Sequence, residues 1–164
     1  MNLLAWVVVA AMLPAANLDP LNLREARLRV TAPRLAVLAA VREGDHLAVE
    51  DIAIAARRRV GSVSTQAVYD VLRALTDADL VRRIEPAGSP ARFEGRVGDN
   101  HHHLICRSCG AVTDVDCAVG HAPCLKPAES AGYDVEEAEV IYWRQCAACH
   151  AGRGPTPNEK VSPR

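Results

Sequence analysis

Four cysteines stand in two pairs whose spacing is typical of a metal-binding site: Cys106 with Cys109, and Cys146 with Cys149. Two intervening residues let both sulfurs of a pair reach one tetrahedral ion, and zinc is the natural occupant. Four thiolates leave no open position for water, and no H-E-x-x-H motif is present, so this zinc would be structural and catalysis is disfavoured. Redox disulfides made from the same thiols are the alternative.

Three consecutive histidines, residues 101–103, precede the first pair. On a strand, alternate side chains share a face, so His101 and His103 could bind one ion while His102 faces elsewhere. Asp114 lies beyond the next turn. Imidazoles with carboxylates suit ferrous iron, manganese or zinc. The pattern therefore indicates a second site, chemically unlike the thiolate one.

The other two cysteines, Cys117 and Cys124, lie outside the zinc pairs. They could form a thiol switch or be small buried residues, and burial is the favoured interpretation. All six cysteines fall between residues 106 and 149, an arrangement that indicates metal binding more than a disulfide framework. This favours a reducing compartment, and we expect a cytoplasmic protein.

The elements that must position these residues begin with a helical front half. Thr31 and Pro33 divide residues 22–43 into two predicted helices, because Thr caps a helix and Pro is tolerated in a first turn. Apolar spacing predicts a third helix over Val49–Val60, ended by Gly61, and a fourth over Ser64–Leu75. Leu80–Ile84 and Ala91–Glu94 then alternate around a Gly-Ser-Pro turn. The pattern predicts a helix-turn-helix with a two-stranded wing.

A polar segment, residues 95–100, is predicted to be a hinge, and beyond it the pattern changes to short strands. We expect strands at Leu104–Cys106, Ala111–Val115 and Glu139–Trp143, and a helix near Leu125–Ala131. The tail, residues 152–164, holds three prolines and no apolar periodicity, so it is expected to be disordered.

The fold class is therefore predicted as α+β, with a winged helix-turn-helix domain over residues 21–94 and a small α/β domain with the four-cysteine site over residues 101–151. The charged residues are also distributed unevenly between these two regions. Residues 21–92 carry twelve Arg against nine acids, whereas residues 93–150 carry four basic residues against nine acids. A basic front half and an acidic, Cys- and His-rich rear half suggest separate roles near phosphate and near metal.

Residues 1–20 are harder to interpret, because Leu3–Ala16 has the apolar character of a signal-peptide core but no basic residue precedes Arg24. Fourteen residues, interrupted by Pro14, are too few to span a bilayer, so no membrane anchor is expected. An N-terminal extension or misassigned start is preferred. A secreted disulfide-bonded or redox protein is the competing hypothesis.

Several motifs, in order along residues 22–150, resemble the ferric uptake regulator superfamily. They are Leu28-Arg29-Val30-Thr31-Ala32-Pro33-Arg34, Ser64-Thr65-Gln66-Ala67-Val68-Tyr69, Arg92-Phe93-Glu94 and His101-His102-His103-Leu104-Ile105-Cys106-Arg107-Ser108-Cys109-Gly110. The resemblance implies a homodimeric winged-helix repressor of double-stranded operator DNA. It also implies dimerisation through the second domain and a regulatory metal between the two domains.

Carried over residue by residue, the resemblance implies regulatory ligands in both domains, namely His46, Glu94, His101, His103 and Asp114. An ion bound by both sets would favour the DNA-binding arrangement. Glu94 lies one residue further from His101 than the acid does in some members. An accessory metal site of some relatives is predicted to be absent or weak, because Asn100 and Ala138 stand where those members have His.

Asp114 favours peroxide sensing, since iron-sensing members commonly have Glu there and peroxide sensors commonly have Asp. The ion would then be ferrous iron or manganese, with zinc as a third candidate. Oxidation of His46 or His101 would weaken the binding of this ion and so the DNA-binding arrangement that it favours. The segment from Asp114 to Cys124 resembles the subgroup linked to catalase-peroxidase control. A zinc- or iron-uptake repressor of the same superfamily is the alternative function.

For DNA, we expect the fourth helix to enter the major groove, with Thr65, Gln66 and Tyr69 near its exposed N-terminal part and Arg73 near phosphate. Tyr69 could contact a thymine methyl group. Asp70 replaces the basic or amide residue common in the family, which should weaken phosphate attraction. Arg29 and Arg34 are the predicted backbone or minor-groove contacts. The run of arginines at residues 57–59 could also face DNA, or be only a solvated helix face.

Overall fold

The computed structural model describes residues 19–86, 88–99, 101–116, 132 and 140–153. The chain divides into two compact units, one comprising Met1–Ile84 with Ala91–Val97 and the other Glu85–Pro90 with Gly98–Arg164. The change between Val97 and Gly98 falls inside the segment that the sequence predicts as a hinge. No helix among the described residues is long and apolar enough to cross a membrane.

Among its described residues, the first unit contains four helices and a two-stranded antiparallel sheet. The helices are α1 (Asp19–Glu25), α2 (Ala32–Glu43), α3 (Val49–Val60) and α4 (Thr65–Thr76), and the strands are β1 (Arg82–Ile84) and β2 (Arg92–Glu94). This order is that of the predicted helix-turn-helix followed by a wing. In the described part of the unit, buried apolar residues of α2, α3 and α4 form one core that includes Val37, Ile52 and Leu72.

Local chemistry explains where these helices begin and end. The Thr31 hydroxyl accepts a hydrogen bond from the Arg34 N–H at the start of α2, and the Ser64 hydroxyl accepts one from the Ala67 N–H at the start of α4. Helix α3 has acids in its first turn and three arginines in its last turn, which complement the helix dipole. It ends at Gly61, whose φ of 79° favours glycine.

Helix α1 begins earlier than the sequence predicted. Its first residue, Asp19, is buried and forms an ion pair with Arg42 of α2. Pro20 occupies the first turn, where proline is tolerated. The first two residues of α1 therefore belong to the folded unit, although the sequence assigned them to an extension. Residues 1–18 lie outside the described part of the chain.

In the part of the second unit that the structure describes, there are a three-stranded sheet of order β4-β3-β5 and a one-turn helix. The elements are β3 (His101–Cys106), β4 (Val112–Asp116), β5 (Ile141–Arg144) and α5 (Ala147–His150). Strand β4 pairs with β3 in antiparallel register, and β5 pairs with β3 in parallel register. The helix predicted near Leu125–Ala131, together with Cys117 and Cys124, lies outside the described residues, as does the tail beyond Arg153.

Candidate metal centres and nucleic-acid interface

The four paired cysteines come together at one end of the second unit, and we call this group the thiolate cluster. Cys106 ends β3, Cys109 lies in the turn before β4, Cys146 caps α5 and Cys149 lies within α5. Their four sulfurs all lie within 4.8 Å of one another. The parallel pairing of β3 with β5 matches Cys106 to Arg144, which brings the second pair beside the first.

The spacing of these sulfurs fits a tetrahedral zinc ion. The Sγ atoms of Cys109 and Cys146 are 3.8 Å apart. With Zn–S bonds of about 2.3 Å, each edge of a ZnS4 tetrahedron is about 3.8 Å long. The backbone N–H of Cys146 also donates to the Cys106 sulfur at 3.2 Å, a contact that stabilises a thiolate. The donor set and its geometry therefore suit a structural zinc.

The thiols of this cluster differ strongly in acidity. Burial alone would raise the pKa of Cys106, but backbone N–H donors, Cys146 foremost, lower that pKa to about 6. Desolvation and the neighbouring thiols raise the pKa of Cys149 to about 12, and burial chiefly raises that of Cys109. Because one ionised sulfur opposes ionisation of the next, a cation is needed to hold all four as thiolates.

In the first unit, His46 and Glu94 form a close pair, which we call the wing pair. Both side chains are buried, and the His46 Nε2 lies 2.9 Å from the Glu94 Oε2. Leu47 and Phe93, the residues next to them, exchange two backbone hydrogen bonds of 3.1 and 2.9 Å. This bridge ties the loop between α2 and α3 to the wing strand. The backbone therefore places His46 beside Glu94.

In the second unit, the face of β3 and β4 presents His101, His103 and Asp114, which we call the sheet triad. Asp114 lies directly opposite His103 in the antiparallel register. Its Oδ1 is 3.9 Å from the His101 Nε2 and 3.7 Å from the His103 Nε2, and the two rings are 5.0 Å apart between centroids. Both histidines are buried. The three side chains converge within the unit, as alternation along a strand requires.

The wing pair and the sheet triad both offer imidazole nitrogen and carboxylate oxygen, the donors that ferrous iron, manganese and zinc accept. Ligand atoms about 2.1 Å from such an ion lie about 3.0–3.4 Å from one another. The 2.9 Å separation in the wing pair is close to this range. The corresponding distances in the sheet triad, 3.7 and 3.9 Å, are longer than this range, so the wing pair has the spacing closer to that of ligands on one ion.

Two contacts of these histidines were missed by the sequence analysis. The His46 Nδ1 lies 2.7 Å from the Asp45 Oδ1, and the His101 Nδ1 lies 2.8 Å from the Asp99 Oδ1. The only available signal was an acid one or two residues before each histidine. His102, between the members of the triad, instead lies edge-on to Tyr142, with 6.1 Å between ring centroids.

The predicted DNA-contacting side chains of α4 are exposed together. Thr65, Gln66, Tyr69 and Arg73 are all exposed, and Tyr69 retains 47% of its accessible surface. Asp70 lies among them. It accepts a hydrogen bond from the Gln66 Nε2 at 3.2 Å, and its Oδ1 is 3.7 Å from an Arg73 Nη atom.

Arg29 and Arg34 are the arginines predicted to contact the DNA backbone or minor groove. The Arg34 guanidinium donates a hydrogen bond to the main-chain carbonyl of Arg29 at 2.9 Å. The run at residues 57–59 is not simply a solvated face. Arg57 donates to the Val63 carbonyl and the Thr65 hydroxyl, both at 3.0 Å, and so braces the turn before α4. Arg58 is exposed, and Arg59 pairs with Glu43.

Comparison with known proteins agrees with this architecture. The model of the "Ferric uptake regulator family" matches residues 25–142. The transcriptional regulator FurA of Mycobacterium tuberculosis is 60% identical over 128 residues, covering 78% of this chain and 87% of FurA. Ferric uptake regulation protein 1 of Mycolicibacterium fortuitum is 61% identical over 121 residues, covering 74% and 75% of the two chains.

The fold is likewise that of solved regulators. The ferric uptake regulator of Pseudomonas aeruginosa, solved with manganese, superposes with a TM-score of 0.58 at 26% identity, covering 79% of this chain and 98% of the other. The α+β fold predicted from the motifs is confirmed. The chain therefore belongs to the ferric uptake regulator family, whose members are metal-responsive transcription regulators and not enzymes.

Proposed function

We propose that this protein is a homodimeric repressor that binds double-stranded operator DNA when a regulatory ion is bound. The observation that carries the proposal is the presence of two sets of nitrogen and oxygen donors, the wing pair in one unit and the sheet triad in the other. We assign the regulatory ion to these five side chains. The thiolate cluster holds a separate structural zinc.

The regulation follows from differential binding. An ion that takes ligands from both units is bound best in one arrangement of the units, so its binding shifts the population toward that arrangement. A 100-fold preference of the ion for the DNA-binding arrangement corresponds to about 2.7 kcal/mol. Loss of the ion, or of one ligand, removes that bias. His46 and Glu94 are the critical members because they belong to the helical unit that would contact DNA.

The protein contact with DNA is assigned to the exposed side chains of α4. Gln66 and Tyr69 face base edges, with Thr65 beside them, while Arg73, Arg29 and Arg34 contact phosphate or the minor groove. Such a regulator works where the DNA is, so we assign it to the cytoplasm. A mature chain cleaved near Ala16 with oxidised cysteines, seen by intact-mass analysis, would contradict this assignment.

We further propose that the regulatory ion is ferrous iron or manganese and that the protein senses peroxide, controlling genes of the catalase-peroxidase type. The support is Asp114, the carboxylate that family members sensing peroxide commonly have. Its position between two imidazole rings leaves His101 and His103 close to the ion's redox chemistry. Oxidation of His46 or His101 would remove a ligand and end repression.

An iron-uptake repressor is the second candidate, and one observation favours it. The 61% identical relative from Mycolicibacterium fortuitum bears the name ferric uptake regulation protein 1. Under this hypothesis the same ligands bind ferrous iron, but the protein responds to iron concentration rather than to peroxide. A zinc-uptake repressor would use the same sites with zinc as the effector.

Footprinting on the DNA upstream of the protein's own gene separates these functions. Ferrous iron, manganese and zinc are each added with and without peroxide. A peroxide sensor protects DNA with iron or manganese and loses protection only in the iron sample after peroxide. Protection with iron that survives peroxide supports the iron-uptake function, and protection with zinc alone supports the zinc-uptake function. If no metal gives protection of this DNA or of any other operator, the proposed repressor function is contradicted.

A further inference from the structure

Two histidines in different units share one hydrogen-bond pattern. The His46 Nδ1 contacts the Asp45 carboxylate at 2.7 Å, and the His101 Nδ1 contacts the Asp99 carboxylate at 2.8 Å. On the other side of each ring, Nε2 faces a proposed metal ligand, Glu94 at 2.9 Å or Asp114 at 3.9 Å. We propose that Asp45 and Asp99 are positioning residues that select Nε2 as the metal-binding atom of both histidines.

This inference rests on the proposed function, since it takes His46 and His101 as ligands. The chemistry of imidazole connects the hydrogen bond at Nδ1 to the choice of Nε2 as the metal-binding atom. A neutral ring carries its proton on one nitrogen and a lone pair on the other. An ionised carboxylate only accepts hydrogen bonds, so the contact with Asp45 or Asp99 keeps a proton on Nδ1. Without an ion, the His46 Nε2 also lies within hydrogen-bond distance of the Glu94 carboxylate. A bound cation would take the place of a proton on Nε2, whose lone pair points toward the other proposed ligands.

The surroundings of His46 make this orientation important. Its side chain is only 3% exposed, whereas that of Asp45 is 84% exposed, so the carboxylate keeps its hydration while it holds a buried ring. His46 has a φ of 50°, a left-handed conformation that non-glycine residues seldom adopt. Arg92 also donates to the His46 carbonyl at 3.5 Å. Backbone and side chain of His46 are therefore held by separate contacts.

His101 is held in a comparable way by different elements. It is the first residue of β3, where its backbone pairs opposite Asp116, and Asp99 precedes it in the loop from β2. The ring is fully buried, while the Asp99 side chain is 42% exposed. Two unrelated pieces of backbone thus reach the same result, an outer carboxylate on Nδ1 and an inner carboxylate facing Nε2.

The test measures Mn²⁺ affinity of the full-length, zinc-containing protein by the electron paramagnetic resonance signal of free Mn²⁺. Asp45→Ala and Asp99→Ala should each weaken Mn²⁺ binding about 10- to 100-fold, the usual effect of losing such a carboxylate. Because each acts on its own histidine, the double variant should show the product of the two factors. Asp45→Asn and Asp99→Asn keep an oxygen that accepts from Nδ1–H, so they should recover most of the affinity.

A matched control removes the same charge elsewhere. Asp77 is exposed at the end of α4, and Asp77→Ala should leave Mn²⁺ binding within about twofold of the unmodified protein. Ala variants that bind Mn²⁺ as tightly as this control would overturn the inference. Asn variants as weak as the Ala variants would also overturn it, because the lost factor would then be charge and not an oriented hydrogen bond.

One further measurement needs no variant and so does not depend on their folding. In the ¹⁵N-labelled protein saturated with zinc, long-range proton–nitrogen correlations should show His46 and His101 protonated at Nδ1 and metal-bound at Nε2. Metal bound at Nδ1 would overturn the inference. His46→Ala distinguishes failure of the ligand assignment from failure of the positioning role. Unchanged Mn²⁺ affinity in His46→Ala contradicts the proposed ligand set. Weaker Mn²⁺ binding by His46→Ala with unchanged binding by the Asp variants contradicts only the positioning role.

Discussion

The thiolate cluster differs from the wing pair and the sheet triad in the type of its ligands and in the units that supply them. The cluster uses four soft thiolates from one unit, within 4.8 Å of one another, and leaves no position open. The wing pair and the sheet triad use nitrogen and oxygen donors and belong to different units. A site contained in one unit can stabilise that unit, but only ligands supplied by two units can report on their arrangement. This contrast supports our proposal that the cysteines have a structural role and the histidines a regulatory one.

The largest expected effect comes from breaking the thiolate cluster. Cys146→Ser removes one ligand and the sulfur that caps α5, so zinc should be lost from the protein. Because binding of structural zinc in small peptides is worth about 10–16 kcal/mol, the second unit should no longer fold stably. Zinc content by atomic absorption and thermal unfolding by circular dichroism measure this. A Cys146→Ser protein with one zinc and an unchanged melting temperature would contradict the structural role.

Removing the histidine of the wing pair should have a more selective effect. We expect His46→Ala to lose metal-dependent DNA binding, with an affinity at least 100-fold lower in the presence of Mn²⁺, while the protein keeps one zinc per subunit. Gel-shift titration and zinc analysis on the same preparation measure the two properties. Loss of zinc from this variant would mean that the two kinds of site had been confused.

The acidity of the cluster predicts a steep pH dependence of zinc binding. Above about pH 7, Cys106 is already largely a thiolate, since its pKa is about 6, and it releases little further proton. Cys109 and Cys149, whose pKa values are raised, must lose protons on binding. Because at least these two protons are released, apparent zinc affinity should rise at least about 100-fold between pH 7 and 8. Competition with a chelator across this range measures the slope, and a flat profile would contradict the assignment.

The smallest expected effect comes from a residue outside the thiolate cluster, the wing pair and the sheet triad. Asp70→Asn removes a negative charge from the exposed face of α4 and loosens Arg73, so DNA affinity should rise about two- to fivefold at low salt. The gain should shrink at high salt because the interaction is electrostatic. Fluorescence anisotropy at two salt concentrations measures it, with Asp77→Asn as the control. A change in metal affinity would show that α4 and the metal sites are not separate.

Much of this fold could be predicted because its signals are local. The bounds of α3, Val49–Val60, match the prediction, since charges mark both ends and Gly61 follows. The two cysteine pairs were recognisable because each depends on a spacing of three. Contacts between distant segments had no such signal. Neither the Leu47–Phe93 bridge nor the Asp19–Arg42 pair follows from any periodicity, and the site assignments remain predictions.

The Leu47–Phe93 bridge also bears on how such a regulator can change over evolution. It is made of backbone groups, so its formation does not require a particular donor atom at positions 46 or 94, provided that the residue at 46 accepts a φ of 50°. Substitutions there alter the donor atoms without rebuilding the segments that carry them. We therefore expect related proteins to differ in metal selectivity through substitution of one or two side chains, while the backbone bridge is retained.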